Sequence, residues 1–380
     1  MSLGKNGKLI RLSKSCLSVL EKRYVLNVLK KEYLGMGLEV AQFESQLNSF
    51  FKRKALCVAN GTAALQLALQ SINIKKGDEV LVQSLTYLSS FQAISATGAI
   101  PVACDVKIDS GTIDLEDARR KISKRTKAIM PVHYAGGVGN LSEIYKFAKK
   151  FKIRVVEDAA HAFGSRYKNK LIGTQGDIVC FSFDGIKNIT SGEGGCIVTN
   201  DKKVINSIQD ARLLGVHGDT NLRYKNKRNY KPEVTHQGWR YHMSNIMAAI
   251  GIAQLERFET LANKRRKLAK FYDKKLNGVR NIKLFDQDYK NIVPHIYPIR
   301  IINLKERNKL IKTLRKKNIE IGFHYYPNHK LKYFRKKNIL LTNTNKLFPE
   351  LLTLPMHPDI LMKEADYIVK TLLKTIRSFC

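Results

Sequence analysis

The chain has 380 residues and a formal net charge of +35, from 67 Lys and Arg against 32 Asp and Glu. Hydrophobic residues make up 44% of it, which excludes a globally disordered chain, and the length predicts about two domains of roughly 150 residues each. No apolar run reaches the roughly 18 residues of a spanning helix, and residues 1–14 lack the apolar block of a secretory signal, so we expect a soluble cytoplasmic protein without membrane insertion.

The first predicted element is an N-terminal helix. Its apolar face carries Cys16, Leu17, Leu20, Tyr24 and Val28 among basic residues. This spacing favours packing against a core, and a helix lying on a membrane surface is the open alternative.

Between residues 55 and 199, short β-branched runs alternate with amphipathic stretches. Such alternation is typical of βαβ units, so we predict an α/β fold whose central sheet has seven mainly parallel strands. Predicted helices at 63–72, 115–122 and 141–151 would cover the sheet. The predicted strands are 55–59, 79–83, 101–105, 127–132, 154–157, 178–183 and 195–199.

After residue 199 the alternation stops. A polar stretch at 215–237 precedes a helical run at 244–261, and a strand at 297–302 with a helix at 305–317 follows. We therefore predict a large domain at 1–261 and a smaller α+β domain at 262–380. A polar stretch as long as 215–237 is usually functional or mobile in a compact protein.

The basic residues are distributed as expected for solvated surfaces. Basic runs such as 264–267 and 315–317 lie in helical patterns without an aromatic-rich basic stripe, which predicts solvated basic faces and no nucleic-acid partner. Attraction of a polyanionic small ligand is the next hypothesis.

Six cysteines occur without a CxxC pair, so we expect reduced thiols, mostly in strands, and no metal site.

Asp158 is the first candidate for chemistry. It ends the strand Val155-Val156-Glu157-Asp158, and open α/β sheets bind ligands at the carboxyl edge of their strands. A structural role as a helix cap is the alternative.

Lys187 is the second candidate. It follows the strand that ends at 183, in a loop of small residues completed by Gly192, Gly194 and Gly195. A desolvated lysine amine has a lowered pKa and forms Schiff bases with carbonyls. A solvated side chain is the alternative, and the glycines then serve only the turn.

A third segment is the strand-to-helix turn Asn60-Gly61-Thr62-Ala63-Ala64-Leu65. Free N–H groups and the positive end of a helix dipole at such a turn hold a phosphate. Pyridoxal phosphate needs a lysine, a carboxylate for its ring nitrogen and a helix N-terminus for its phosphate, and the three segments together match that requirement.

With these motifs in place, the sequence resembles the DegT/DnrJ/EryC1/StrS family of sugar aminotransferases, which are fold-type I pyridoxal-phosphate enzymes. The resemblance extends from about Tyr33 to Pro358 and is carried by several motifs in the expected order. These are NGTAAL at 60–65, GDEV at 77–80, EDAAHAFGS at 157–165, GDIVCFSF at 176–183 with Lys187, and GEGG at 192–195.

The resemblance implies a role for each matching residue. Lys187 would bind the cofactor covalently and shuttle a proton, and Asp158 would keep the ring nitrogen protonated. His161 would lie against one ring face and Tyr87 would stack on the other, although Tyr87 also fits a core aromatic. The implied phosphate contacts are Gly61, Thr62, Ala63 and Ser182.

One segment departs from the family pattern. The family often has Gly-Tyr-Asn-Tyr-Arg-Met where this chain has Gly238-Trp239-Arg240-Tyr241-His242-Met243, and that Asn reaches the partner subunit's phosphate. Arg240 would bind this phosphate or the substrate's diphosphate.

On the substrate side, the segment 322–329 resembles the part of the family that contacts the sugar nucleotide, which implicates His324, Tyr325 and His329. A metal interpretation of these histidines lacks an accompanying carboxylate. The segment 354–358 resembles a structural closing motif.

The implied activity is transfer of an amino group from L-glutamate to a nucleotide-linked 4-keto-6-deoxyhexose, with dTDP or UDP as the expected nucleotide, by a homodimer that serves surface polysaccharide or O-antigen synthesis. A 3-keto sugar aminotransferase is the nearest alternative. A sugar 3-dehydratase is disfavoured because such members carry His at the position of Lys187. From another class, the alternative is a nucleic-acid-binding or regulatory protein.

Overall fold

The computed structural model describes residues 8–335 and 339–379. The α/β prediction is confirmed, because all seven predicted strands form one sheet. These strands are β1 (Lys54–Val58), β2 (Glu79–Gln83), β3 (Ile100–Cys104), β4 (Thr126–Met130), β5 (Arg154–Asp158), β8 (Ile178–Ser182) and β9 (Gly195–Thr199), with a small hairpin of β6 (Arg166–Tyr167) and β7 (Lys170–Leu171) between β5 and β8.

The strand order in the sheet is β1-β9-β8-β5-β4-β2-β3. Only β9 runs against its neighbours, since it pairs antiparallel with both β1 and β8. The carboxyl ends of β1, β2, β5 and β8 therefore meet at one edge of the sheet, where ligands bind in open α/β folds.

Helices cover both faces of this sheet. The helices of the large part are α1 (Val19–Lys30), α2 (Leu38–Phe51), α3 (Gly61–Ser71), α4 (Ser89–Ala96), α5 (Leu115–Lys121), α6 (Leu141–Phe151), α7 (Lys202–Ala211), α8 (Asp219–Arg223) and α9 (Asn245–Glu256). Side chains of α3, α4 and α7 pack on one face, and those of α2, α5, α6 and α9 pack on the other. The alternation along each strand divides the two cores, because Val80 and Val82 enter the first and Leu81 the second.

A second sheet of three antiparallel strands lies in the C-terminal part. It has the order β10-β11-β12, with β10 at Ile282–Leu284, β11 at Tyr297–Ile301 and β12 at Leu351–Leu354. Its helices are α10 (Phe258–Leu276), α11 (Arg307–Arg315), α12 (Thr342–Glu350) and α13 (Met362–Ile376).

The helix α10 connects the two cores. Its Phe258 and Ala262 pack in the core of the large sheet, whereas Leu268 and Tyr272 pack in the core of the small one. The predicted domain boundary at 261/262 thus falls inside a continuous helix. The chain near Ile10 pairs with Ile319 of the C-terminal part.

The predicted N-terminal helix is present as α1, which packs against α9. Cys16 and Val28 are buried as expected, but Leu17 is 54% exposed and therefore does not pack against this chain's core. The neighbouring Val19, Leu26 and Leu29 are exposed as well.

The described cysteines Cys16, Cys57, Cys104, Cys180 and Cys196 are free and buried. Cys380 lies outside the described residues. No helix in the described part of the chain is both long and apolar enough to cross a membrane.

The prediction of a solvated basic face is wrong for one residue of the run 264–267. Lys264 and Lys267 are exposed, but Arg265 is only 2% exposed. Backbone carbonyl groups surround its guanidinium and replace the water that a surface arginine would have.

Candidate active site

Most of the predicted site residues meet in one cavity of about 470 Å³ at the carboxyl edge of the large sheet. Its lining includes residues from the turn before α3, the loop after β2, the ends of β5 and β8, and the segments before β11 and after α11. The predicted site residues in this lining are Gly61, Thr62, Tyr87, Asp158, His161, Ser182, Lys187, His324 and Tyr325.

Asp158 is a buried carboxylate at the last position of β5, with 5% of its surface exposed. Oδ2 accepts a hydrogen bond from Ser90 Oγ at 2.7 Å, and Oδ1 accepts one from the Ala160 N–H at 3.2 Å. No Lys or Arg of the described residues forms an ion pair with it. Burial raises its pKa, and the two hydrogen bonds act against that rise.

Lys187 follows β8, which is parallel to β5, and its side chain enters the same cavity. Its amine Nζ lies 3.4 Å from Nε2 of His295. Burial lowers the pKa of Lys187 to about 8, although the nearby Asp184 and Asp158 favour the charged form. An amine with such a pKa is partly uncharged near neutral pH and can attack a carbonyl.

The turn before α3 has the features of a phosphate cradle. Asn60 caps the helix, since its side chain accepts a hydrogen bond from the Ala63 N–H at 2.8 Å. A Cβ at Gly61 would lie 2.8 Å from Cβ of Ser182, so only glycine lets the helix start approach the Ser182 hydroxyl this closely. The N–H groups of Gly61 and Thr62 remain for an anion, whereas that of Ala63 is already used and Ala63 does not line the cavity.

His161 is buried, and its contacts assign its tautomer. Nδ1 accepts a hydrogen bond from the Ala135 N–H at 3.3 Å, so the ring carries its proton on Nε2. That Nε2 lies 2.9 Å from Oη of Tyr325 and therefore donates to it. Burial lowers the pKa of His161 well below its usual range, which keeps the ring neutral.

The tautomer of His161 determines which hydrogen bonds Tyr325 can make. Its oxygen accepts from His161, so its own hydroxyl hydrogen is available to a ligand in the cavity. Burial raises the pKa of Tyr325, so the hydroxyl stays a donor. The ring lies 5.6 Å from that of Tyr87, which is 53% exposed at the mouth of the site.

Besides Ala63, two further predicted contacts lie outside the cavity. The ring of His329 is hydrogen-bonded through Nδ1 to Ser84 Oγ at 2.7 Å, and the backbone N–H of His329 donates to the same oxygen at 3.0 Å. It thereby fastens the segment after α11 to the loop that leads to Tyr87. Arg240 is exposed and lines a separate cavity of about 170 Å³ together with Arg223 and His242.

Two residues of this site give no signal in the sequence. Ser90, which bonds Asp158, and His295, which faces Lys187, belong to none of the motifs quoted above. Both are brought to the cavity by long-range packing, and a lone serine in a helix or a lone histidine before a strand gives no local signal. No cluster of His, Cys, Asp or Glu suited to a metal occurs in the ranges that the structure describes.

Comparison with known proteins places the chain in a family. Residues 15–373 match the DegT/DnrJ/EryC1/StrS aminotransferase family. GDP-perosamine synthase of Escherichia coli O157:H7 is 34% identical over 374 residues, which cover 96% of this chain and 98% of that protein.

Solved structures agree with this placement. PseC of Helicobacter pylori, an aminotransferase involved in the biosynthesis of pseudoaminic acid, has a TM-score of 0.90 at 28% identity, with 98% of this chain and 100% of PseC covered. Spr1654 of Streptococcus pneumoniae, solved in a PLP form and a PMP form, has a TM-score of 0.90 at 27% identity in both, with 97% of this chain covered and 98% or 99% of that protein. The chain therefore belongs to the DegT/DnrJ/EryC1/StrS aminotransferase family, and the resemblance and the pyridoxal-phosphate dependence expected from its motifs are confirmed.

Proposed function

We propose that this protein transfers the amino group of L-glutamate to the ketone of a nucleotide-linked 4-keto-6-deoxyhexose, giving a 4-amino-4,6-dideoxy sugar nucleotide for surface polysaccharide such as O-antigen. The observation that carries the proposal is the meeting of Lys187 and Asp158, both buried, in one cavity beside a helix N-terminus. The similarity to GDP-perosamine synthase over nearly the whole of both chains supports a sugar nucleotide substrate and adds GDP to the expected nucleotides.

The residues present fit pyridoxal phosphate. Asp158 is a buried carboxylate without a cationic partner in the described chain, which suits a protonated ring nitrogen. The cradle of Gly61, Thr62 and Ser182 suits the phosphate. When bound, the cofactor supplies an electron sink for the carbon next to the transferred nitrogen.

Asp158 and Lys187 then have separate roles in the reaction. Asp158 holds the positive charge of the ring nitrogen, and Ser90 and the Ala160 N–H keep the carboxylate in place. Lys187 in its uncharged form takes a proton at Nζ and returns it, because its lowered pKa lies close to the working pH.

Tyr325 orients the substrate. Its free hydroxyl hydrogen donates to a sugar oxygen inside the cavity, because His161 already occupies its acceptor side. His324, in the same segment, also lines the cavity. Its Nδ1 lies 2.9 Å from Thr353 Oγ1, and burial lowers its pKa to about 4, so it acts as a neutral ring.

The working form is proposed to be a homodimer. An interface with a second copy is supported by exposed apolar side chains on and just before α1, since burying them would favour association. These side chains are Leu17, Val19, Leu26 and Leu29. Arg240 lies outside its own chain's cavity and is proposed to reach the phosphate in the partner's site.

The function is tested with purified protein, pyridoxal phosphate, L-glutamate and a panel of 4-keto and 3-keto sugar nucleotides. We expect 2-oxoglutarate and one amino sugar nucleotide, detected by mass spectrometry, from a 4-keto substrate. A product only from a 3-keto substrate would overturn the regiochemistry, and no product from any keto sugar would overturn the sugar substrate.

A further inference from the structure

Arg265 makes an unusual set of contacts for a residue of a basic run. Its buried guanidinium donates to five backbone carbonyl oxygens at 3.1–3.4 Å. No carboxylate of the described residues forms an ion pair with it, and its Nε is buried without a partner. A buried charge without an anionic partner is costly, and here only backbone carbonyl groups offset that cost.

The five carbonyls belong to three separate segments. Nη2 contacts Ile186 and Lys187 in the loop after β8, and Nη1 contacts Pro294 and His295 before β11 and Met356 after β12. One side chain therefore bridges the backbone of Lys187 to the backbone of His295. The side chains of this bridged pair then meet, with Nζ 3.4 Å from Nε2.

The surroundings of His295 favour one tautomer. Its ring is 3% exposed and lies 4.4 Å from the ring of His161, and its Nδ1 is buried without a partner among the described residues. An unpaired buried N–H is avoided more strongly than an unpaired acceptor, so the proton belongs on Nε2. Nε2 then donates toward Lys187, and only the uncharged amine has a lone pair to accept.

We propose that Arg265 is a positioning residue, which bridges the backbone of Lys187 and His295 so that Nε2 of His295 stabilises the uncharged form of the Lys187 amine. The inference deepens the proposed function, because it concerns the residue that this function makes reactive. The positive charge of the guanidinium acts in the same direction, since it disfavours a second positive charge on Lys187 or His295.

The test measures the Lys187 amine in the cofactor-free full-length protein. The protein is acetylated with trace acetic anhydride across a pH series, and the labelling of the peptide carrying Lys187 is compared by mass spectrometry with that of the exposed Lys264. For the unchanged protein we expect a titration midpoint of about 8.

Two substitutions and a matched control separate the effects of Arg265 and His295 on the titration midpoint of Lys187. Arg265→Met removes the charge and the bridge, so the midpoint is expected to rise, and each unit of rise means about ten-fold less labelling at a fixed lower pH. His295→Phe removes only the donor and is expected to raise the midpoint as well. Lys267→Met, an exposed neighbour on α10, is the matched control and should leave the midpoint unchanged.

A purely structural role gives a different result. If Arg265→Met lowers the melting temperature but the folded protein keeps the midpoint of the unchanged protein, the inference is overturned. If that variant does not fold, Arg265→Lys takes its place: one ammonium cannot span three segments, so the midpoint should still rise, and an unchanged midpoint in both this variant and His295→Phe overturns the inference. Since no cofactor or substrate is present, either outcome leaves the aminotransferase proposal to its own test.

Discussion

Asp158 and Lys187 come from the ends of two neighbouring parallel strands, and this placement makes their chemistry interdependent. Burial favours the uncharged form of both side chains, because it raises the pKa of the carboxyl and lowers that of the amine. A cationic ring nitrogen at Asp158 would reverse the first effect and stabilise the carboxylate. The buried carboxylate of Asp158 therefore suits a positively charged group beside it.

Replacing Asp158 tests this account at the level of one atom. Asp158→Asn keeps the size and the contact with Ser90 but removes the negative charge. We expect the cofactor still to bind, while the glutamate half-reaction slows by about 10²-fold or more, the range for loss of one electrostatic stabiliser. Stopped-flow absorbance measures this rate, and an unchanged rate would remove Asp158 from its proposed role.

Some site residues can be predicted from local sequence motifs, and others cannot. Asp158, Lys187 and Gly61 stand at strand ends or turns within recognisable motifs, and the structure brings all three to one cavity. Arg265 was misinterpreted because a run of four basic residues says nothing about which of them faces inward. His295 was missed because its meaning depends on Lys187, more than 100 positions away.

At the level of elements, the start of α3 is built by close approach to β8. A Cβ at position 61 would lie 2.8 Å from Ser182 Cβ, whereas a Cβ at Gly35, in the turn before α2, meets nothing within 4 Å. Gly61→Ala should therefore push the helix start away from Ser182 and weaken pyridoxal phosphate binding by roughly ten-fold or more, which corresponds to loss of about one good hydrogen bond.

Gly35→Ala is the matched control and should bind the cofactor as the unchanged protein does. Fluorescence titration gives both dissociation constants. Equal affinity in the two variants would show that the close contact of α3 with Ser182 does not shape the phosphate site.

A buried ion pair joins α2 to the segment after α7. Arg212 is fully buried, and its Nη1 lies 2.5 Å from Oε1 of Glu44, while Nη2 bonds Tyr224 Oη at 2.9 Å. Arg212→Met leaves the carboxylate of Glu44 buried without its partner, so unfolding should become about 3–5 kcal/mol easier.

Urea unfolding followed by circular dichroism measures this loss, with Lys267→Met, an exposed residue of α10, as the control. The double variant Arg212→Met, Glu44→Gln removes both charges and should recover part of the loss. A cost below about 1 kcal/mol for Arg212→Met alone would contradict the account of a coupled buried pair.

The strands of the large sheet were predicted to within one or two residues, because β-branched runs bounded by turn residues give a strong local signal. The short strands β6, β7, β10 and β12 were not predicted, because runs of two to four residues give too little pattern. The N-terminal helix was predicted less well, since α1 begins only at Val19, and Leu17, which was placed on its apolar face, precedes the helix and is exposed. Periodicity identifies a helix and its apolar stripe, but it does not say how much of that stripe the same chain covers.

For the whole molecule, the exposed apolar side chains around α1 and the position of Arg240 lead to one prediction. Sedimentation equilibrium should give about twice the chain mass of 43.3 kDa. Leu26→Glu combined with Leu29→Glu should shift the protein toward the monomer and reduce turnover, because Arg240 would lose the partner's site. Lys267→Met, an exposed residue of α10, is the control, and a fully active monomer would contradict the shared site.

The reaction is followed by the visible absorption of the purified protein with pyridoxal phosphate, before and after addition of L-glutamate and then of a 4-keto sugar nucleotide. We expect a band from the lysine-linked cofactor that disappears with glutamate and returns with the sugar. The variant Lys187→Ala should lack the band and lose turnover by at least about 10²–10⁴-fold. A protein that never develops the band, or whose Lys187→Ala variant behaves as the unchanged chain does, would contradict the assignment of Lys187 and of the reaction.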